Sequence, residues 1–207
     1  MNKFTLALCI FSLGSSIAYA AGADLPGDAA AGQAKSLVCG TCHGPDGNGG
    51  PNPLWPKLAG QHTSYIVQQL KNFQAGARND PTMAPMAAPL SEQDMYNLGA
   101  YFESQMLKIG EASPELLEQG QKIYRGGNKE TEMAACIACH GPQGRGNPAA
   151  KYPAINGQSA QYIIKQLQDY KSGTRKPEGN AQMMRDIAMK MSEAEVKAVA
   201  DYMQGLY

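Results

Sequence analysis

Cys39-Gly40-Thr41-Cys42-His43 is the stretch whose reading decides the rest of the chain. Two thiols three positions apart lie one helical turn from each other, and the next residue projects toward the plane the two sulfurs define. Such a pair followed at once by histidine is the pattern of covalent haem attachment: each sulfur adds across a vinyl group, and the imidazole takes the iron as proximal ligand. Alone, the stretch would also suit half of a zinc site or a redox dithiol. A second copy, Cys136-Ile137-Ala138-Cys139-His140, weighs against both. Zinc would need further ligands, and outside the two motifs the only other histidine is His62 and the only other cysteine Cys9. The residues therefore read as two covalently bound haem c groups, with Cys39, Cys42, Cys136 and Cys139 as thioethers and His43 and His140 on the irons.

Working outward, the two copies belong to a longer repeat. A shift of 97 residues places Cys39, Cys42, His43, Gly44, Pro45, Gly47 and Gly49 on Cys136, Cys139, His140, Gly141, Pro142, Gly144 and Gly146. The same shift carries Pro56, Gly60, Gln61, Tyr65, Gln69, Gly76 and Arg78 onto Pro153, Gly157, Gln158, Tyr162, Gln166, Gly173 and Arg175. Beyond that point a shift of 101 aligns Met83, Ser91, Glu92 and Tyr101 with Met184, Ser192, Glu193 and Tyr202, so the second copy carries an insertion near Lys176 to Asn180. Self-similarity of this kind means two domains of one fold.

Each copy reads as helical, and no strand alternation is evident. A short helix leads toward the motif (Ala29 to Leu37; Pro114 to Tyr124), and a Gly/Pro-rich loop follows. An amphipathic helix runs from about Ser64 to Gln74 and again from Ala160 to Lys171. The last helix opens on Ser91-Glu-Gln-Asp94 or Ser192-Glu-Ala-Glu195, the pattern of a capping box. Gly110 and Pro114 in Lys108-Ile-Gly-Glu-Ala-Ser-Pro114 place the linker between Leu107 and Ser113. The expectation is an all-α chain of two tandem cytochrome c-like domains, residues 21–110 and 111–207, each small enough to need its haem as core.

Residues 1–20 have the make-up of a cleaved signal peptide: Lys3, an apolar run from Phe4 to Ile17, and Ala18-Tyr19-Ala20 before the cut. Cys9 leaves with it, and the four remaining cysteines are taken by the motifs, so no disulfide is expected. No later stretch approaches the roughly 18 apolar residues of a transmembrane span. Lys+Arg and Asp+Glu are equal at 18 each, which gives nucleic acid no footing. The charge is uneven along the chain: Ala21 to Ala112 balances at minus three and Ser113 to Tyr207 at plus two.

What fills the far side of each iron separates an electron carrier from a haem that binds or activates small molecules. Eleven methionines supply candidates, and the repeat sorts them. Met83 and Met184 each stand eight residues before the serine of the last helix, whereas the counterpart of Met86 is Ile187. Met83 and Met184 are thus the expected axial ligands, with Met86 and Met183 as rivals, and both are placed in loops between helices. Met86, Met95, Met106, Met189, Met191 and Met203 are assigned to packing. His62 is read as a surface or capping residue.

With these residues in hand the chain resembles the cytochrome c4 family of periplasmic dihaem c-type cytochromes. The duplicated motif, Pro56-Lys-Leu-Ala-Gly-Gln61, Pro153-Ala-Ile-Asn-Gly-Gln158 and the methionines ahead of each last helix carry the likeness. The resemblance implies that the Pro56 and Pro153 carbonyls accept from the proximal histidines. It implies two domains about a pseudo-twofold axis; the expectation is a periplasmic monomer without a transmembrane segment, with peripheral membrane association as the alternative to a free chain. It further implies a respiratory electron carrier between a quinol-cytochrome c reductase-type donor and a terminal oxidase. A cytochrome subunit of a sulfide-oxidising flavoprotein complex is the alternative, and a dihaem peroxidase a distant third.

Overall fold

The computed structural model describes residues 26–176 and 181–207. The expected leader at 1–20, with Cys9 in it, and most of the expected insertion, at 177–180, lie outside the described residues. Nine helices are assigned among those described, and two isolated antiparallel bridges, Asn128 with Met133 and Asn147 with Tyr152, pin loops of the second half.

The first half is built from α1 (Ala29–His43), α2 (Thr63–Gln74), α3 (Met83–Ala87) and α4 (Glu92–Ser104). Asp28 starts α1 by accepting the amides of Ala30 and Ala31, satisfying donors the first turn leaves open. Both expected capping boxes form: Ser91 with Asp94 at α4, and Ser192 with Glu195 at α9 (Glu193–Gln204). Helix α1 crosses α4 at Gly32, where a Cβ would stand 2.0 Å from the Asn97 carbonyl oxygen. In the second half α5 (Pro114–Gly126) crosses α9 at Gly120, where a Cβ would stand 2.3 Å from the Ala198 oxygen. Glycine at each crossing lets two backbones touch, and the last helix then turns Tyr101 and Phe102, or Tyr202 and Met203, into the core.

The expected end of the first helix at Leu37 is corrected, while α5 starts at Pro114 as expected. Helix α1 runs unbroken through Cys39 to His43, since nothing there interrupts it. In the second half Gly127, at a φ of 65°, ends α5, a loop intervenes, and the motif has its own short helix α6 (Ile137–His140). Helix α7 (Ala160–Ser172) mirrors α2. The loop placement of the methionines is corrected too: Met83 opens α3, and Met184 lies within α8 (Ala181–Met189). Of the six methionines assigned to packing, Met95, Met191 and Met203 are buried, but Met86, Met106 and Met189 are exposed.

Candidate functional site

In each half the Gly/Pro-rich loop folds back under its motif. Gly47 takes a φ of 74° and its carbonyl accepts the amides of Leu58 and Ala59; Gly144, at 68°, does the same for Ile155 and Asn156. A Cβ at either glycine would press to 2.9 Å on Phe102 or Leu206, so only glycine admits the return. The return sets Pro56 beneath His43 and Pro153 beneath His140. His43 Nδ1 lies 2.8 Å from the Pro56 carbonyl oxygen, and His140 Nδ1 lies 3.0 Å from that of Pro153.

A carbonyl only accepts, so each Nδ1 carries the proton and each Nε2 keeps its lone pair. Burial pushes both imidazoles below their ordinary pKa, outweighing the upward pull of the proline carbonyls. Both rings are therefore neutral at physiological pH, with the nitrogen a metal requires available. The four cysteines are free thiols here and stand for thioether sulfurs. Burial raises the Cys39 thiol and pushes Cys136 up to about 12, the reverse of the low-pKa attacking thiol of a redox pair. Among the described residues no three His, Cys, Asp or Glu side chains converge as a metal-binding cluster.

The two motifs open on one cavity of about 550 Å³, lined from both halves. His43, Cys39, Cys42, Met83 and Met86 face it from the first half, and His140, Cys136, Cys139, Met183 and Met184 from the second. Within each methionine pair the residues differ in burial: Met83 and Met184 are half-buried, and Met86 and Met183 are exposed. This apolar space, with two neutral imidazoles and paired thiols on its wall, fits a haem in each half.

Two sets of residues that the sequence showed only as repeat matches hold the halves together. Gln61 donates to the Ala154 carbonyl at 2.8 Å and accepts its amide at 3.0 Å, while Gln158 makes the same pair of bonds to Lys57, both at 2.9 Å. Arg78 reaches across to Tyr162 and Gln166, and Arg175 reaches back to Tyr65 and Gln69. His62 occupies the N-cap position of α2 without capping it through its side chain. Its Nε2 instead meets the Arg145 carbonyl of the other half at 2.6 Å, and its Nδ1 lies 3.3 Å from Glu103. The reading of His62 as a surface or capping residue is corrected accordingly: it is an interdomain contact.

Fold and site together define a tandem c-type cytochrome, two helical units each built around a covalent haem. The family profile described as Cytochrome c matches residues 29–105 and 117–207. Cytochrome c4 of Azotobacter vinelandii is 44% identical over 217 aligned positions, covering 100% of both chains. The crystal structure of reduced recombinant cytochrome c4 from Pseudomonas stutzeri superposes with a TM-score of 0.83 at 44% identity, covering 87% of this chain and all of that one. A thiosulfate dehydrogenase electron acceptor of Stutzerimonas stutzeri (strain A1501) is 40% identical, across 81% of this chain and 78% of its own. The chain belongs to the cytochrome c4 family. It is an electron carrier with two covalently bound haem c groups, not an enzyme. No helix among the described residues is long and apolar enough to cross a membrane.

Proposed function

We propose that Cys39 and Cys42 bind one haem through thioethers with His43 and Met83 as axial ligands, and that Cys136 and Cys139 bind the other with His140 and Met184. The observation that carries this is the twofold pairing in one cavity: each half presents a buried histidine with a free Nε2 and one half-buried methionine to the same space. Pro56 and Pro153 orient the imidazoles and raise their basicity. The bound haem supplies reversible one-electron carriage, its potential raised by methionine ligation. With His43 and Met83 on one iron and His140 and Met184 on the other, both faces of each iron would be filled by residues of the chain, which would suit outer-sphere transfer.

The division into units falls at 110/111, behind a leader at 1–20 that directs the chain to the periplasm. There it works as a monomer, taking electrons from a quinol-oxidising complex and passing them to a terminal oxidase. Likeness to a thiosulfate dehydrogenase electron acceptor favours a second reading, in which a dehydrogenase is the donor. Near-infrared spectra of the oxidised holoprotein test the ligands: the sulfur-to-iron band of one haem disappears in Met83→Ala and that of the other in Met184→Ala. A band that survives both changes, or is lost instead in Met86→Ala or Met183→Ala, overturns the assignment. Reduction rates with a quinol-oxidising complex and with a thiosulfate dehydrogenase, measured side by side, choose the donor.

A further inference from the structure

His62 and Ser159 occupy the same repeat position, at the head of α2 and of α7, and each reaches the other half. Ser159 donates its hydroxyl to the Pro53 carbonyl at 2.6 Å. His62 Nε2 lies 2.6 Å from the Arg145 carbonyl, beside a second crossing bond from the Ser64 hydroxyl to the Pro148 carbonyl at 3.0 Å. The partner from the last helix is matched as well. Gln204 Oε1 accepts the Ala160 amide at 3.1 Å; in the first half Glu103 Oε2 accepts the Thr63 amide at 3.1 Å and the Thr63 hydroxyl at 2.6 Å. The other carboxylate oxygen of Glu103 stands 3.3 Å from His62 Nδ1. One arrangement is thus built twice, from serine and glutamine on one side and from histidine and glutamate on the other. Only the second can titrate.

Both ring nitrogens of His62 face oxygen. A carbonyl only accepts, and so does an ionised carboxylate. Burial works against the Glu103 charge, but the Thr63 hydroxyl and amide, and then His62, outweigh it and hold the carboxyl below its ordinary value. A neutral imidazole has a single N–H, so one of its nitrogens would set a lone pair against an oxygen; the doubly protonated ring donates to both. Among the described residues Glu103 of α4 is the charged side chain bonded to the ring, and Arg145 meets it through its carbonyl while being itself exposed. None of the three lines the haem cavity.

We propose that His62 and Glu103 form a pH-sensitive latch between the halves, closed by the doubly protonated ring and loosened when the ring gives up a proton. Closing takes up a proton, so by linkage a fall in pH tightens the latch and a rise slackens it. The contact reaches further than its own bonds. The His62 amide donates to Gln61 Oε1 at 3.1 Å, and that same oxygen accepts the Ala154 amide, next to Pro153. Loosening at His62 is therefore passed to the loop beneath His140. With His43 and His140 engaged by the irons, His62 is the one histidine of the three left to titrate. The latch depends on the docking of the halves and not on which methionine ligates either iron.

Amide hydrogen exchange of the dihaem holoprotein at pH 5.5 and pH 8 tests this, with each rate expressed against that of unstructured chain at the same pH. In the parent, protection of residues 62–66 and 145–149 is about tenfold greater at pH 5.5, the scale of one hydrogen bond to a charged group. Residues 159–163, at the matching serine, show no such difference. His62→Gln keeps an amide donor for the Arg145 carbonyl and cannot take up a proton, so its protection is the same at both values. Glu103→Gln offers the neutral ring an N–H in place of a carboxylate and removes most of the difference, which answers the question should His62→Gln yield no holoprotein. Equal protection of the parent at both values, greater protection at pH 8, or a difference that persists undiminished in either variant overturns the proposal. Exchange at these segments is independent of the sulfur-to-iron bands, so the latch and the methionine assignment fail separately.

Discussion

Asp94 has two partners at the start of α4. One carboxylate oxygen accepts the Ser91 amide at 3.0 Å, closing the capping box, and the other meets Lys35 of α1 at 2.7 Å. The Lys35 ammonium first, and then the Ser91 hydroxyl and amide, hold the carboxyl at about 2, well below the usual carboxylate range. A depressed folded pKa contributes stability that is fully present above the unfolded value near 4 and is lost as pH falls toward 2. Lys35 is 45% exposed, so solvent screening reduces the contribution to about 1 kcal/mol. Asp94→Asn keeps an acceptor for the cap but loses the charge. Urea melts from pH 6 to 2 therefore start about 1 kcal/mol lower in the variant and converge with the parent at the acid end; a constant gap across that range would refute the linkage.

At the scale of elements, the crossings α1 with α4 and α5 with α9 are closed by Gly32 and Gly120. Any side chain at Gly120 meets backbone, 2.3 Å from the Ala198 oxygen, and backbone cannot step aside as a flexible side chain does. Gly120→Val should cost about 3 kcal/mol or block folding of the second half. Gly126→Ala, in the same helix with nothing within 4 Å of the added Cβ, should be neutral or stabilising by up to about 1 kcal/mol in the same urea melts. These crossings were not legible in the sequence, because a glycine inside a helix reads only as a poor helix former. Helices α2, α4, α7 and α9 were legible, since apolar spacing and Ser-x-x-Asp/Glu caps act locally and leave local marks. Helices α3 and α8 were not: α3 is five residues long with Pro85 inside it, and α8 abuts the insertion. Their helical turns leave Met83 and Met184 half-buried and Met86 and Met183 exposed.

Across the whole molecule, the histidine side of each site could be read from one motif, because five adjacent residues carry it. The docking of the halves could not, since duplication records likeness of two units and says nothing about their contact. Gln61 and Gln158 make that contact, and their targets explain its importance: Ala154 follows Pro153 and Lys57 follows Pro56. Each glutamine therefore braces the loop whose carbonyl holds the other half's histidine. The halves are also unequal. The buried apolar cluster of the second half runs from Ile123 and Tyr124 through Tyr170 to Leu206, whereas the first half has two small clusters, around Leu98 and Phe102 and around Val67 and Met95. Four well-aligned hydrogen bonds at about 1 kcal/mol each set the scale of the coupling they provide. In the holoprotein Gln61→Ala/Gln158→Ala, the calorimetric melt should separate into two transitions, the first half unfolding at the lower temperature and its amides exchanging first. A single transition shifted by less than a degree would mean that the cluster of Arg78 and Arg175 joins the halves without the glutamines.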